Sequence, residues 1–272
     1  MKWLLRQSVN LIPSRVRFWI KSIPGIAALQ RWLVNAVLSD EPFVHVINSG
    51  PASGLRFEIT LPNDKAIWSG TFEPEFAEAL ARSVAPGDVC YDIGGYRGYM
   101  SGVLALAGAR RVLVFEPLSE NIVALEKLCQ LNPNLPLQIQ QCAVGKVDGE
   151  VFFQVMPDRS MGKIATSVLD AEIKPIEEIQ VPVATVDTLV FERQLVAPNL
   201  LKIDVEGAEL DVLDGAAKTL NEISPRIFLE AHSQTLAEAC AVRLTGHRYV
   251  VRQLESKTVA PDFARHLVAE RK

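Results

Sequence analysis

The sequence lacks the cysteine and histidine spacings that close a zinc site or a disulfide framework. Its 272 residues include four cysteines, which are far apart and form no CxxC pair: Cys90, Cys129, Cys142 and Cys240. Isolated cysteines of this kind are typical of reduced core residues in a reducing compartment. The sequence therefore predicts a cytoplasmic protein with free thiols and no structural zinc.

The sequence also lacks a hydrophobic run long enough to cross a membrane. In residues 1–42 the apolar residues are interrupted by charges and by Pro13 and Pro24. No stretch reaches the roughly 18 apolar residues that a membrane-spanning helix needs. The same residues lack the apolar core and small-residue cleavage site of a signal peptide, so neither a span nor a signal peptide is expected.

Acidic residues are absent from the start of the chain, although they are in excess overall. Residues 1–39 contain six basic residues and no acid, whereas the rest contains 22 basic and 32 acidic residues. A net charge of -4 with no basic domain argues against nucleic acid as a partner. We interpret residues 1–42 as a basic amphipathic extension that packs on the acidic body or makes a homodimer contact. Peripheral contact with the inner face of a membrane is the alternative.

Residues 43–272 show the alternation of strands and helices that is typical of an α/β domain. Three short extended patterns at 43–70 predict a small β segment, and a helix is expected over 73–84. The later strands are expected at 89–93, 112–116, 137–144, 151–155, 181–186, 200–205, 226–231 and, last, 249–254. Helices are expected at 99–107, at 119–131, along Leu210 to Leu220 and along Leu236 to Leu244. The pattern predicts a doubly wound, mostly parallel, Rossmann-like sheet with an N-terminal helical/β extension.

Acidic side chains stand at the predicted ends of several strands. In doubly wound sheets, ligands bind at the carboxyl ends of the strands. Four of the five ends inspected carry a carboxylate, and the fifth carries an alanine: Asp92, Glu116, Asp204, Glu230 (followed by His232) and Ala143. These positions are therefore the first candidates for a binding site.

The loop VCYDIGGYRGYMSG at 89–102 is rich in glycine but lacks the phosphate-binding fingerprints. The GxGxxG spacing cannot be fitted to this loop. If Gly98 is the third glycine, Ile93 occupies the first position; if Gly94 is the first glycine, Tyr96 occupies the second position. The Gly-Lys pair at 162–163 has Pro157 and Ile164 at the defining positions of a Walker loop. The absence of the GxGxxG spacing argues against the hypothesis of an NAD-dependent dehydrogenase.

What remains is the pattern D-x-G-x-x-x-G from Asp92 through Gly94 to Gly98, with Glu116 at the end of the next strand. An acid at that strand end can accept both hydroxyls of a ribose. A carboxylate at Asp92 suits a ligand with a positive charge. S-adenosylmethionine, which joins adenosine to a cationic tail without phosphate, meets both conditions.

The blocks FEPLSENIVALEKLCQLNP, CAVG, LLKIDVEGAELDVLDGA and PRIFLEAH closely resemble the FkbM-type family of S-adenosylmethionine-dependent methyltransferases. The resemblance covers about Gly70 to about Tyr249. It implies a class I methyltransferase sheet that ends in a reversed strand. It also implies cofactor contacts along the glycine loop, at the ribose and at the adenine, from Gly94, Gly95, Gly98, Glu116, Pro117 and Ala143.

The glycine loop departs from the family pattern DxGANxGxY, since Gly95, Tyr96 and Arg97 replace the usual Ala-Asn-x. The glycine spacing survives, so cofactor binding is still expected. Upstream, the segment GTFEPEF at 70–76 resembles the sequence that precedes this loop in the family. Its Glu73 is expected to hold the cofactor's amino group or a loop N–H, or else to complement a helix dipole.

Methyl transfer to oxygen needs an aligned acceptor and removal of a hydroxyl proton. The candidates for this chemistry stand in two pairs at neighbouring strand ends: Asp204 with Glu206, and Glu230 with His232. Their carboxylates would also suit Mg²⁺, but no dense metal-ligand spacing is visible, so no metal ligand is assigned. The polar loop between the strands predicted at 151–155 and 181–186 is a candidate part of the acceptor site through Ser160, Lys163, Thr166 and Ser167.

The sequence thus predicts O-methylation of a sugar hydroxyl on a glycan, glycolipid or secondary metabolite. The resemblance, and not the residues, supplies that substrate class. The alternative is a non-catalytic S-adenosylmethionine-binding module, associated with a membrane surface through the basic extension. Loss of the usual loop Asn is the feature that favours this alternative.

Overall fold

The computed structural model describes residues 41–155, 163–164, 177–254 and 266–271. The basic extension at 1–42 lies outside this part of the chain except for its last two residues, and so do Ser160, Thr166 and Ser167 of the polar loop. Among the described residues, no helix combines the length and the apolar character needed to cross a membrane. The four cysteines are all described and all free.

A seven-stranded sheet forms the centre of the molecule, in the spatial order β12-β13-β11-β10-β3-β4-β5. Its strands, in chain order, are β3 (Val89–Ile93), β4 (Arg111–Phe115), β5 (Leu137–Gln140), β10 (Leu200–Ile203), β11 (Arg226–Glu230), β12 (Tyr249–Gln253) and β13 (His266–Arg271). Pairing is parallel from β11 to β5, and β13 alone runs against its neighbours. The predicted doubly wound, mostly parallel fold is confirmed.

Helices cover the sheet, and their bounds follow the hydrophobic spacing of the sequence. They are α1 (Lys65–Ser69), α2 (Pro74–Ser83), α3 (Tyr99–Leu106), α4 (Ser119–Leu131), α5 (Glu209–Asp214), α6 (Ala217–Glu222) and α7 (Gln234–Gly246), with a π-helix at Thr188–Glu192. Every residue of β3 and β10 is buried. Two hydrophobic clusters lie on opposite faces of these strands, because successive side chains of a strand point to opposite sides.

The segment before the sheet is only partly extended, which corrects the prediction for 65–70. β1 (Phe43–Val46) and β2 (Arg56–Ile59) form an antiparallel pair, but KAIWS forms helix α1. The Asp64 carboxylate accepts the Thr60 N–H at 2.7 Å, and the Asp64 carbonyl accepts the Trp68 N–H. Gly70 ends the helix with φ +67°, a conformation that favours glycine. Local hydrogen bonds therefore outweigh the extended pattern.

The stretch 137–144 was predicted as one strand and is two. β5 belongs to the main sheet, whereas β6 (Ala143–Val144) joins a second sheet of order β6-β9-β7-β8 with β7 (Gly149–Val155), β8 (Lys163–Ile164) and β9 (Glu177–Ala184). The Cys142 N–H bonds back to the Gln140 carbonyl at 2.9 Å. This turn redirects the chain from one sheet to the other.

The single helix predicted from Leu210 to Leu220 is also divided. A Cβ at Gly215 would lie 2.0 Å from the Gly145 carbonyl oxygen, so the chain passes close to the second sheet here. The Asp187 carboxylate accepts the N–H groups of Lys218 and Thr219 and thereby starts a new helix, α6. The divided helix therefore follows from contacts distant in sequence.

The strand at 249–254 was predicted to be the last, and this prediction is wrong. β13 follows it and inserts between β12 and β11. β13 is the reversed strand that the family resemblance implied. Because it runs backwards, its first residue, His266, lies at the same edge of the sheet as the end of β11, opposite Glu230. That register adds a residue to the site.

Candidate active site

The glycine loop after β3 is shaped by contacts with the protein itself. The N–H groups of Gly94 and Gly95 both lie 3.0 Å from the Phe115 carbonyl. Gly94 has φ +80°, and a Cβ there would lie 1.7 Å from the Asp204 carbonyl oxygen. A Cβ at Gly98 would meet Leu125 and Leu128 of α4. These glycines let the loop lie directly against the segment after β10.

A buried lysine joins the ends of β3 and β10. Lys202 Nζ lies 3.0 Å from Asp92 Oδ1 and 3.3 Å from Asp204 Oδ2, and it donates to the Gly94 carbonyl at 2.8 Å. Ser101 donates to the other oxygen of Asp92. Burial lowers the pKa of Lys202, but the two aspartates outweigh it and raise this pKa above its ordinary value. Lys202 is therefore a charged ammonium that neutralises carboxylates on both strands.

Glu116 is held at the end of β4 by N–H donors. It accepts from the backbone of Tyr96 at 2.9 Å and Leu118 at 3.0 Å, and from Asn121 Nδ2 at 3.1 Å. Burial raises the pKa of Glu116, and the three donors oppose that effect. A carboxylate has about four acceptor positions, so capacity for a further hydroxyl donor remains.

Two of the three residues that depart from the family loop, Tyr96 and Arg97, have visible contacts. Tyr96 adopts φ +46°, and its N–H is the one that binds Glu116. Arg97 donates to Asp64 Oδ1 at 2.8 Å and to the Glu58 carbonyl at 2.6 Å, and its guanidinium lies over the Phe57 ring. Arg97 thus ties the glycine loop to the N-terminal β segment.

Asp204, Glu206 and His232, here called the His232 set, come together after β10 and β11. His232 Nε2 lies 3.2 Å from Glu206 Oε2 and 3.6 Å from Asp204 Oδ1. On the other side of the ring, Nδ1 lies 2.7 Å from Oε1 of the fully buried Glu209. Burial lowers the pKa of His232, but Glu206 and Glu209 raise it to about 11. The raised pKa favours the imidazolium form, which has no free nitrogen with which to accept a proton.

Glu73, Glu230 and His266 form a second group, the His266 set. One ligand atom from each residue lies within 4.8 Å of the others. His266 pairs with Glu230 across β11 and β13 and stacks on Phe76 at 4.4 Å. Glu73 adopts φ 40°, and burial, followed by the charges of Glu230 and Asp204, raises its pKa to about 7. Glu73 is thus a carboxyl group that titrates near neutral pH.

The structure regroups the residues expected from the sequence. His232 lies with Asp204 and Glu206, whereas Glu230 lies with Glu73 and His266. Pro117 follows Glu116 and is partly exposed, while Ala143 is buried in the second sheet. The contacts predicted between these residues and the ribose, the adenine and the amino group of the cofactor remain predictions.

Sequence reasoning missed Lys202, Glu209 and His266. For Lys202 a signal was present: it is the only charged residue of an otherwise apolar buried strand. A buried lysine is rarely found without a partner. His266 had no comparable local signal, because its position depends on how β13 inserts into the sheet.

Comparison with known proteins identifies methyltransferases throughout. A family model described as the methyltransferase FkbM domain matches residues 92–266. The chain is 28% identical over 156 residues to Methyltransferase 1 of Beauveria bassiana, with 47% of this chain and 63% of that protein covered. It is 24% identical over 186 residues to the hexuronic acid methyltransferase AglP of Haloferax volcanii, with 66% and 72% covered.

Among solved structures, the methyltransferase FkbM of Methylobacillus flagellatus is 17% identical, with a TM-score of 0.49. That match covers 71% of this chain and 50% of the other chain. The chain thus spans less than two thirds of the Beauveria relative and half of the Methylobacillus protein.

Proposed function

The chain belongs to the FkbM methyltransferase domain family, and on that premise we propose that it transfers a methyl group from S-adenosylmethionine to a sugar hydroxyl. One observation carries the proposal. The glycine loop expected to hold the cofactor touches the backbone of Asp204, the first residue of the His232 set. A cofactor on this loop would therefore lie beside the residues proposed to receive an acceptor.

The side chains of the loop region fit the cofactor in charge and in hydrogen-bonding capacity. S-adenosylmethionine supplies a methyl group on a positively charged sulfur. Glu116 has acceptor capacity for one further hydroxyl, such as that of a ribose. Beside the loop, two carboxylates, Asp92 and Asp204, share the single ammonium of Lys202. S-adenosylmethionine is the methyl donor in this proposal.

Glu73 is the proton acceptor in this proposal. It lies with Glu230 and His266, and its charge interacts with Asp204. A pKa of about 7 suits a general base at neutral pH, because the group is partly ionised and still basic enough to take a proton. Bound S-adenosylmethionine would supply the methyl group, and Glu73 would take the proton that the acceptor hydroxyl loses.

The proposal also specifies the class of acceptor, which is a sugar. It is supported by the family resemblance and by the relative named as a hexuronic acid methyltransferase. The polar lining of both sets suits hydroxyl groups, which are donors and acceptors at once. Glycans, glycolipids and glycosylated secondary metabolites are the classes to screen.

Calorimetric titration of the purified full chain with S-adenosylmethionine, S-adenosylhomocysteine and NAD tests the cofactor assignment. We expect both adenosyl ligands to bind and NAD not to bind. Glu116→Ala should weaken binding by about tenfold to a hundredfold, since a charged hydrogen bond contributes about 1.5–3 kcal/mol. Glu126→Ala, at an exposed position of α4, is the matched control and should leave binding unchanged.

Methyl transfer itself requires an acceptor screen with neutral sugars, hexuronic acids and their glycans. Radiolabelled methyl incorporation into a sugar would support the proposal. Cofactor binding without transfer to any acceptor would instead favour the non-catalytic binding module. Failure to bind either adenosyl ligand would remove the basis for both hypotheses.

A further inference from the structure

Three potential metal-ligand atoms converge between the ends of β10 and β11, one from each residue of the His232 set. All lie within 4.8 Å of one another, and His232 Nε2 is 3.2 Å from Glu206 Oε2 and 3.6 Å from Asp204 Oδ1. Two ligands at right angles, each about 2.1 Å from a small divalent cation, are about 3.0 Å apart. We propose that Asp204, Glu206 and His232 bind a divalent cation of the Mg²⁺ or Mn²⁺ class.

The two nitrogens of His232 have different surroundings. Nδ1 lies 2.7 Å from Glu209 Oε1, the length of a charge-assisted hydrogen bond. Nε2 faces two carboxylates, both at more than the roughly 2.7–2.9 Å of such a bond. A metal-binding histidine usually donates its other N–H to a carboxylate, which fixes the ring and its tautomer. Glu209 is placed to be that carboxylate.

Glu209 gives a second indication. Its side chain is fully buried, and its Oε2 has no hydrogen-bond partner in the part of the chain that the structure describes. A buried carboxylate with an unsatisfied oxygen is unfavourable unless positive charge lies nearby. When His232 is a neutral metal ligand, a cation on the far side of its ring would supply that charge through the imidazole.

The net charge of the site also favours a bound cation. The two sets, Glu209 and the Asp92–Lys202 pair contain six carboxylates and three basic side chains. With His232 neutral, as a metal ligand must be, with Glu73 protonated and with His266 counted as charged, negative charges are in excess by three. S-adenosylmethionine has a net charge of about +1 near neutral pH, since its sulfonium and ammonium outweigh one carboxylate. A divalent cation would balance the remainder.

This cation would have a role in the proposed methyl transfer, and that role rests on the proposed function. Three protein ligands leave coordination positions free for water or a sugar hydroxyl. Coordination lowers the pKa of a bound hydroxyl, so that its proton passes more readily to Glu73. Lys202 stays on the opposite oxygen of Asp204, where Asp92 and the Gly94 carbonyl hold it.

The test measures Mn²⁺ binding to the EDTA-treated chain, without cofactor, by calorimetry and electron paramagnetic resonance. We expect about one Mn²⁺ per chain and a nitrogen coupling from an imidazole ligand. Glu206→Gln and His232→Asn should each weaken binding at least tenfold, and His232→Asn should abolish the nitrogen coupling. Glu209→Gln, which retains the shape of the side chain, should weaken binding by about tenfold to a hundredfold. Glu222→Gln, at an exposed site of α6, is the control.

Absence of Mn²⁺ binding at millimolar concentration, in protein whose circular dichroism shows it folded, would overturn the proposal. Loss of binding in His266→Gln but not in His232→Asn would place the ion in the other set and would also overturn it. Because no cofactor is present, neither result bears on methyl transfer. Conversely, Mn²⁺ binding without adenosyl binding would support the metal site and contradict the proposed function. Turnover that survives complete metal removal would overturn the catalytic role of the ion.

Discussion

The two halves of the site satisfy their carboxylates in different ways. On the cofactor side, Glu116 accepts three N–H groups, and Asp92 is bonded to Ser101 and Lys202. On the acceptor side, Asp204 and Glu206 face one imidazole, and Glu73 and Glu230 face another. The first half is completed by the protein's own donors. The second half concentrates negative charge that a ligand or cation has to balance.

Lys202 is the residue at which the two halves meet. It contacts Asp92 on the cofactor side and Asp204 on the acceptor side, and the Gly94 carbonyl lies between them. A cofactor half that is hydrogen-bonded by the protein's own donors and a charge-rich acceptor half are thus joined by one buried ion-pair network. We therefore expect substitution of Lys202 to affect folding. Substitutions in the acceptor half should instead change how stability depends on pH.

The largest effect is expected for Gly94→Ala. The added Cβ would overlap the Asp204 carbonyl, so the loop and β10 would have to separate. We expect a loss of more than about 4 kcal/mol of unfolding free energy, or no folded protein. Gly87→Ala is the control, since Gly87 has φ +94° with no atom within 4 Å of the Cβ position. It should lower the unfolding free energy by only about 1–2 kcal/mol, from backbone strain alone.

Thermal and urea unfolding of the two variants measure this difference. Equal losses in Gly94→Ala and Gly87→Ala would show that the close approach of the two halves is unimportant for stability. A folded Gly94→Ala variant that binds S-adenosylhomocysteine like the parent would also contradict the role assigned to the loop.

The next largest effect is expected for Lys202→Met, which removes the cation between the halves. Asp92 and Asp204 would then be left without their ammonium partner, and Asp92 is fully buried. Breaking a buried ion pair in this way lowers the unfolding free energy by about 3–5 kcal/mol. Urea unfolding at pH 7 measures the change.

The surface pair of Lys146 with Asp214 provides the matched control, because Lys146 is 59% exposed. Lys146→Met should lower the unfolding free energy by less than about 1 kcal/mol. A similar loss in both variants would mean that Lys202 contributes no more than a surface lysine.

The smallest effect is expected for Glu73→Gln, and it depends on pH. Burial, Glu230 and Asp204 raise the pKa of Glu73 from 4.5 to about 7. Between these values the native protein keeps a proton that the unfolded chain has lost, so its unfolding free energy falls as pH rises. Glu73→Gln cannot ionise and should be more stable than the parent by about 3 kcal/mol at pH 8, with no difference near pH 4.

Thermal unfolding of the parent and Glu73→Gln from pH 4 to 8 measures this difference, and Glu75→Gln, at the exposed neighbouring position, is the control. The same substitution should abolish methyl transfer, because it removes the proposed proton acceptor. A stability difference that is constant over this pH range would contradict the raised pKa. Full turnover in Glu73→Gln would remove its catalytic role.

Much of the sheet and several helices could be predicted from the sequence because their signals are local. Helix α4 begins and ends where its hydrophobic spacing indicated, at Ser119 and Leu131, and β3 occupies the expected residues 89–93. The predictions failed where distant parts of the chain decide the structure. The N-terminal capping bonds of α6 come from Asp187, and the turn at Cys142 directs β6 to a second sheet.

The sequence by itself determined the fold class, the family and the strand ends that carry Asp92, Glu116, Asp204 and Glu230. These features follow from hydrophobic periodicity and short motifs, which act over a few residues. Only the tertiary structure decided which charges meet. It placed His266 opposite Glu230, Glu209 behind His232 and Lys202 between two aspartates. Electrostatic interactions depend on distance in space and on burial, and neither quantity is written in the order of the residues.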